Sequence, residues 1–511
     1  MEFFSSSLYV LLLLFAVTSI RGYQLGRTVL ANLMRFPVGA CPRRLGRRLS
    51  LQIRPRWLPD LSIAEMARGY MTNSDLEDAM KQFITRCSHI SRMYSIGKSV
   101  NGVPLWVMEI SDKPGHREAE PAFKVSTLLD LQFIGNVHGD EPVGRELLLL
   151  LANWLCDNYR KDPLATLIIT KVHLHMLPTM NPDGFSLRVR GNANYIDLNR
   201  DFPDQFLPMN NDEEARQPET KAIMRWLKEY HFTASASLHG GALVANYPWD
   251  GSQSKRREYY ACPDDKAFQY MASLYSHSHY NMSLGKEFHE GITNGAAWYP
   301  IYGGMQDWNY IHGGCFELTL EISEVKWPDA NELPALWEYN RISMLNLVAS
   351  LVKTGVHGRI LSSEDGRTLP ASVAINGINY TVIADQAFGD YHRILAPGEK
   401  YEVMATVPGY QSKATRILLE DDEAVNVDFV MDPEGGPQTT KQLPVSINCN
   451  CNCDCDKTKI YLAGLEGWTH VEMSLVVAVI LACFGILFKR KTLLKLLKQR
   501  PLLGPRRSVG V

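Results

Sequence analysis

The chain has 511 residues, 45% of them hydrophobic and 21% charged, with a formal net charge of −2 at pH 7. That length allows more than one domain, and the composition is that of a globular protein, not a disordered or fibrous one. The near-neutral balance leaves no electrostatic footprint for a nucleic-acid partner.

The N-terminus reads as a secretory signal over residues 1–22, with an apolar core from Tyr9 to Val17, small residues after it and no Lys or Arg before it. Residues 23–61 carry the basic pairs Arg43-Arg44 and Arg47-Arg48, and no Asp or Glu occurs between Phe3 and Pro59. An acid-free, Arg-rich stretch also fits a mitochondrial transit peptide; the leading apolar core and the apolar segment near the other end favour a secreted extension or pro-segment.

Residues 62–354 alternate strand-like with helix-like patterns. Strands are predicted at 105–110, around Phe133-Ile134 and at 172–177, and helices at 147–158 and 220–230, where apolar residues recur at i, i+3 and i+4. The fold class is therefore α/β, a mixed sheet flanked by helices. Residues 355–432 change to period-two patterns at 371–375, 380–383, 401–405 and 424–429, separated by turns such as Pro397-Gly398 and Pro408-Gly409, which predicts a small all-β sandwich.

Residues 433–467 read as a stalk containing "CNCNCDCD", with Cys449, Cys451, Cys453 and Cys455 at every second position; disulfides suit this run better than a zinc knuckle. Residues 468–488 read as one transmembrane helix, and the basic tail 489–511 that follows marks the cytoplasmic side. The expectation is a single-pass type I protein of the secretory or endosomal pathway or plasma membrane, its bulk lumenal or extracellular and membrane lipid its one anchoring partner. In that oxidising space Cys87, Cys156, Cys262 and Cys315 are free to pair, and the sequons at Asn281 and Asn379 are open to glycosylation.

The chemistry concentrates in a few stretches. "GNVHGDEPVG", residues 135–144, puts His138 and Glu141 at a strand-to-helix junction, where Gly139 and Asp140 bend the chain. "SLHGG" puts His239 at the end of an alternating strand. Two His and one carboxylate with an open fourth position suit one catalytic zinc ion. Each signal is weak alone: an H-x-x-E pair is common, and a His at a strand end is often a satisfied polar residue. His173 and His175, in a strand with no carboxylate nearby in sequence, read as structural. Residues 180–204 add Arg190, Asn199 and Arg200, donors suited to a carboxylate and an oxyanion. Residues 294–310 are rich in Gly and aromatics, as a binding loop would be. In "CFELTLEISEVKWP" alternation puts Glu317, Thr319 and Glu321 on one face, and a Glu in an apolar strand is costly unless paired or used.

With these motifs together, residues 65–432 resemble the zinc metallocarboxypeptidases of the regulatory branch that includes carboxypeptidases E, D, M and N, in a membrane-anchored, carboxypeptidase D-like or plant form. The resemblance implies that the sandwich is transthyretin-like and that His138, Glu141 and His239 are the zinc ligands. It implies that Arg190 polarises the scissile carbonyl and that Asn199 and Arg200 of "DLNR" hold the substrate's terminal carboxylate. Tyr299 would close on the substrate, and Glu321 would be the general base, with Glu317 the runner-up. Asp250, closing "NYPWD", would face a basic side chain, with Gln306 helping to line the same pocket. Two positions depart from the branch: Asp201 replaces the Asn after "DLNR", adding charge beside the clamp, and Val189 replaces a Gly before Arg190. The implied activity is removal of C-terminal Lys or Arg from peptides and proteins in the processing of secreted precursors. The alternatives are a catalytically silent peptide-binding or adhesion module, and a zinc deacylase or amidohydrolase, which would have no need of Asn199, Arg200 and Tyr299 as a carboxylate clamp.

Overall fold

The computed structural model describes residues 69–116, 129–208, 211–421 and 423–434. The expected signal segment, the whole extension, the stalk beyond residue 434, the membrane-spanning segment and the tail lie outside the described residues. Among the described residues no helix is long and apolar enough to cross a membrane.

In chain order the α/β part consists of α1 (Asn73–Arg86), β1 (Ser91–Lys98), β2 (Pro104–Ile110), β3 (Leu129–Gly135), α2 (Val143–Asn158), α3 (Pro163–Lys171), β4 (Val172–Leu177), α4 (Pro182–Leu187), α5 (Pro218–Glu229), β5 (Ala234–His239), β6 (Ala242–Tyr247), α6 (Asp265–Ser278), β7 (Ile292–Asn294), α7 (Gly295–Trp298), α8 (Met305–Gly313), β8 (Phe316–Ser323) and α9 (Leu333–Lys353). Eight strands form one sheet in the order β1-β2-β4-β3-β5-β8-β6-β7. Its centre is parallel, β4 with β3, β3 with β5 and β5 with β8, and antiparallel pairs flank it. Helices cover both faces of such a centre, so β4, β5 and β8 are buried along their whole length.

α2 is buried on nearly every side, which explains its unbroken run of five leucines, Leu147 to Leu151. The same burial takes in Arg145 and Glu146, which is tolerable only because both are tied down. Arg145 donates to Asn73 Oδ1 (2.9 Å) and to the Met71 carbonyl (2.8 Å), while Glu146 accepts from the Met71 N–H (3.2 Å). Of the four cysteines expected to be free to pair, Cys87 and Cys156 form a disulfide joining the end of α1 to α2, while Cys262 and Cys315 are free and buried.

The chain then enters the sandwich: β9 (Val356–Ser362), β10 (Ser372–Ile375), β11 (Ile378–Ile383), β12 (Asp390–Arg393), β13 (Lys400–Thr406), β14 (Lys413–Leu418), β15 (Val425–Asn426) and β16 (Phe429–Met431). One sheet runs β11-β10-β13-β14 and the other β12-β9-β15, with β16 also paired to β9. Their inner faces meet over Val373, Ile375, Val403, Ala405 and Phe429. Of the two sequons, Asn379 is exposed on β11, whereas Asn281 is half-buried, with its Oδ1 out of solvent.

Candidate active site

Parallel strands put their carboxyl ends on one side of the sheet, and that side collects the candidate site. His138 and Glu141 follow β3, His239 ends β5, and Glu321 lies near the end of β8. The register pairs His239 directly with Glu321.

The turn after β3 is built on Asn136, which takes a left-handed backbone (φ 54°). Its amide donates to the His138 carbonyl (2.7 Å), and its Oδ1 accepts from Thr179 (2.8 Å). Gly139 is required by crowding: a Cβ there would lie 2.0 Å from the Gly184 carbonyl carbon. The bend aims two ligands at one point. His138 Nδ1 and His239 Nδ1 each lie 2.9 Å from Glu141 Oε2 and 3.1 Å from one another, all buried. Ligand atoms of a tetrahedral zinc lie roughly 3.4 Å apart, given metal–ligand bonds near 2.1 Å. Two neutral imidazoles and one carboxylate converging at that spacing fit zinc.

The supporting contacts fit as well. His138 presents Nε2 to Asp197 Oδ1 at 3.1 Å, the carboxylate partner that orients a metal-binding imidazole. Asp197 also accepts from Arg190 Nε (2.8 Å) and from the Asn199 N–H (2.9 Å), so one carboxylate ties a candidate ligand to two candidate substrate residues. The second oxygen of Glu141, Oε1, accepts from Lys326 Nζ (2.7 Å) and Arg190 Nη1 (3.3 Å). Burial pushes the Glu141 carboxyl up, but the His138 and His239 rings outweigh it and hold the group well below the ordinary carboxylate range. Asp197 and Lys326 are functional candidates that sequence reasoning missed. The signal for Asp197 was present: it stands inside "DLNR", and a metal-binding imidazole calls for an acceptor on its other nitrogen.

His138, Glu141, Arg190, His239 and Lys326 line one cavity of about 120 Å³ together with Asn199, Arg200, Asn246, Asp250, Trp298, Tyr299, Thr319 and Glu321. Glu321 is buried, and its Oε2 has no hydrogen-bond partner among the described residues. Burial, and then the charge of Glu141, raise its value to about 8. Tyr299 stands at the mouth, 46% exposed. The amide of Asn199 is oriented by the Met305 N–H, which donates to its Oδ1 (2.9 Å). Asp250, 2% exposed, accepts on Oδ1 from Asn246 Nδ2 and Gln306 Nε2 (both 3.0 Å), and its Oδ2 has no partner among the described residues. Gly295 makes this placement possible, since a Cβ there would lie 2.2 Å from Asp250 Oδ1. Burial raises the Asp250 value to about 6.

Gln306 does not line the cavity. It lies behind Asp250 with both amide ends used, Oε1 accepting from the Thr319 N–H at 2.7 Å. Asp307 beside it accepts from the Asp250 N–H (3.0 Å). Glu317, on the same face but deeper along β8, does not line the cavity and accepts from Ser235 Oγ (2.5 Å) and from Asn309 Nδ2. The charge of Asp201 is directed elsewhere than the clamp: it accepts from the Gln217 N–H (2.7 Å) at the start of α5, where a helix N-terminus favours an anion. Val189 is not among the residues of positive φ, so its backbone does not call for glycine.

His173 has a carboxylate neighbour in space though none nearby in sequence, because β2 pairs with β4 and brings Glu109 to 3.5 Å from its Nδ1. That carboxylate is already taken by Arg92 Nε (2.5 Å) and the Gly115 N–H (2.7 Å), so the cluster is a buried charge network, structural in kind.

Comparison with known proteins agrees with this geometry. Residues 76–343 match the family described as zinc carboxypeptidase. The chain is 62% identical to carboxypeptidase SOL1 of Arabidopsis thaliana over 448 residues, 88% of each protein. It is 43% identical to carboxypeptidase D of Mus musculus over 377 residues, 70% of this chain and 26% of that protein, and 38% identical to the carboxypeptidase N catalytic chain of Homo sapiens over 395 residues, 70% and 84% respectively. The chain belongs to the zinc carboxypeptidase family.

Proposed function

We propose that this protein is a zinc exopeptidase that releases C-terminal Lys or Arg from peptides and proteins, acting on secreted precursors from an anchored position in the secretory or endosomal pathway. The observation that carries the specificity is Asp250: a buried carboxylate on the cavity wall with one oxygen unpartnered, next to a terminal-carboxylate clamp. An unpaired buried acid is costly, and a guanidinium or ammonium entering the cavity would relieve that cost.

The division of labour follows from the positions. Asn199 and Arg200 bind the terminal carboxylate, and Tyr299 covers it from the mouth, which places the last peptide bond beside Glu321 and Arg190. His138, Glu141 and His239 would hold the zinc, which supplies Lewis-acid polarisation and a more acidic water. Glu321 accepts a proton from the attacking water and passes it to the leaving amine, two tasks open to a carboxylate on the cavity wall beside the metal ligands. Arg190, fixed by Asp197, faces the oxyanion with its remaining N–H donors.

The deciding experiment is peptide cleavage by the purified protein with and without a chelator. Release of terminal Arg or Lys that vanishes in Glu321→Gln supports the reading. Equal cleavage of a C-terminal Phe peptide sinks the role of Asp250, and retained zinc with no hydrolysis would favour a silent binding module.

A further inference from the structure

The helix that backs the specificity pocket is held from the sandwich side. α8 carries Gln306 and Asp307 on its first turn, each bonded to Asp250. Tyr310 lies four residues after Gln306, on the same helix face. It is fully buried, and three contacts converge on it. Its hydroxyl donates to Asp264 Oδ2 (2.6 Å). Its carbonyl accepts from the hydroxyl of Tyr380 on β11 (2.6 Å), and the two rings stack with centroids 4.3 Å apart. Its ring also packs 5.4 Å from that of Trp249, the residue before Asp250. The other oxygen of Asp264 accepts from Arg393 Nη2 on β12 (2.5 Å), a pair with no solvent exposure. Two side chains of the sandwich thus reach the helix behind Asp250, one directly and one through Asp264.

We propose that Tyr380 and Arg393 are positioning residues for the basic-residue pocket: the sandwich clamps α8, and α8 holds Asp250 in register with the terminal-carboxylate clamp. This inference rests on the specificity proposed above. A buried ion pair and a buried hydroxyl are costly ways to join two lobes that apolar packing alone could join. What they add is direction, because hydrogen bonds to Asp264 and to one helix carbonyl fix the rotation and height of α8, which packing leaves looser. Gln306 reaches both Asp250 and the β8 backbone at Thr319, so a small shift of α8 moves the carboxylate relative to the strand that carries Glu321.

The test compares Tyr380→Phe, which keeps the stacked ring and removes one hydroxyl, with Arg393→Met and its charge-preserving counterpart Arg393→Lys, all in the full chain. Arg416→Ala, on the exposed outer face of the sandwich, is the control. Peptides ending in Arg and in Ala are compared, with zinc per chain measured on the same samples. The expected result is a KM for the Arg peptide raised about 3- to 10-fold in Tyr380→Phe and more in Arg393→Met, with kcat per zinc, zinc content and the Ala peptide unchanged within about twofold. Partial recovery is expected in Arg393→Lys. If Arg393→Met fails to fold, Tyr380→Phe decides. An unchanged KM in a folded variant overturns the proposal, as does an equal rise for both peptides. A wild-type enzyme that does not prefer Arg over Ala removes the specificity reading itself, and the clamp with it, before any variant is made.

Discussion

Replacing Asp250 by Asn tests the specificity most directly. The carboxylate is 2% exposed, and its Oδ1 accepts from two side-chain amides, Asn246 Nδ2 and Gln306 Nε2. Asn at this position keeps an oxygen for both donors, so the pocket retains its shape and only the charge is lost. With a value of about 6, the wild-type group is about nine-tenths ionised at pH 7. A hydrogen bond to a charged partner contributes about 1.5–3 kcal/mol. At about 1.4 kcal/mol per factor of ten, kcat/KM for a C-terminal Arg peptide should fall roughly 10- to 150-fold. A C-terminal Ala peptide, which makes no such contact, should change by less than about twofold. Steady-state kinetics on matched peptides ending in Arg, Lys and Ala, with zinc measured per chain, reads the result. Retention of Arg activity within about threefold of wild type would refute the assignment, as would a parallel loss on Arg and Ala, since either leaves the charge without a selective role.

Three further outcomes are expected. Because burial raises Asp250 to about 6, kcat/KM for Arg peptides should fall as pH drops through that value, while Ala peptides and Asp250→Asn show no such limb; by the same linkage a raised acid stabilises the fold only below its ordinary value and loses that contribution as pH rises through about 6, so Asp250→Asn should melt above wild type at pH 8 and the gap should close toward pH 4. Asp197→Ala removes the acceptor on His138 Nε2 and should weaken zinc binding about 10- to 100-fold in a chelator competition; undiminished affinity would show that Asp197 does not orient the ligand. Removing the Cys87–Cys156 disulfide with paired Ala substitutions frees a 69-residue separation, for which the chain-entropy estimate is about 4 kcal/mol, readable as a lower denaturant midpoint with little change in the specificity ratio.

What the sequence made legible is local. The strand at 172–177 is found where alternation and apolar content place it, and the helices at 147–158 and 220–230 differ from α2 and α5 only at their ends, where Pro218 starts α5 and Val143 extends α2. His138 and Glu141 are readable together because one bend carries both. Residues whose roles depend on pairing between distant strands are not readable. Nothing near Glu109 announces that β2 will bring it against His173, and no spacing rule selects Cys156 for Cys87 over Cys262 or Cys315. Lys326 is unreadable for the same reason: its nitrogen meets Glu141 across 185 residues of sequence. Likeness to the family puts Gln306 on the cavity wall, whereas packing sets it one layer back, where its amide bonds Asp250 and the Thr319 N–H at once.

The two glutamates of β8 show how register converts a sequence pattern into chemistry. Alternation puts Glu317 and Glu321 on one face, and both are buried and raised toward neutrality, Glu317 to about 7 and Glu321 to about 8. Neither burial nor acidity distinguishes them. The partner strand does: β5 sets Ser235 opposite Glu317 and His239 opposite Glu321. At the start of the strand Ser235 and Asn309 both donate to Oε2 of Glu317 and fix it within the core, while its Oε1, like Oε2 of Glu321, has no hydrogen-bond partner among the described residues. At the carboxyl end the sheet opens into the cavity, and the neighbour is a candidate metal ligand. A cation held by His138, Glu141 and His239 would favour the charged form of Glu321 and leave Glu317, four residues deeper along the strand, almost untouched. The position of a carboxylate along a parallel strand therefore decides whether it is structure or chemistry, and the end where β3, β5 and β8 terminate together is the place where it becomes chemistry.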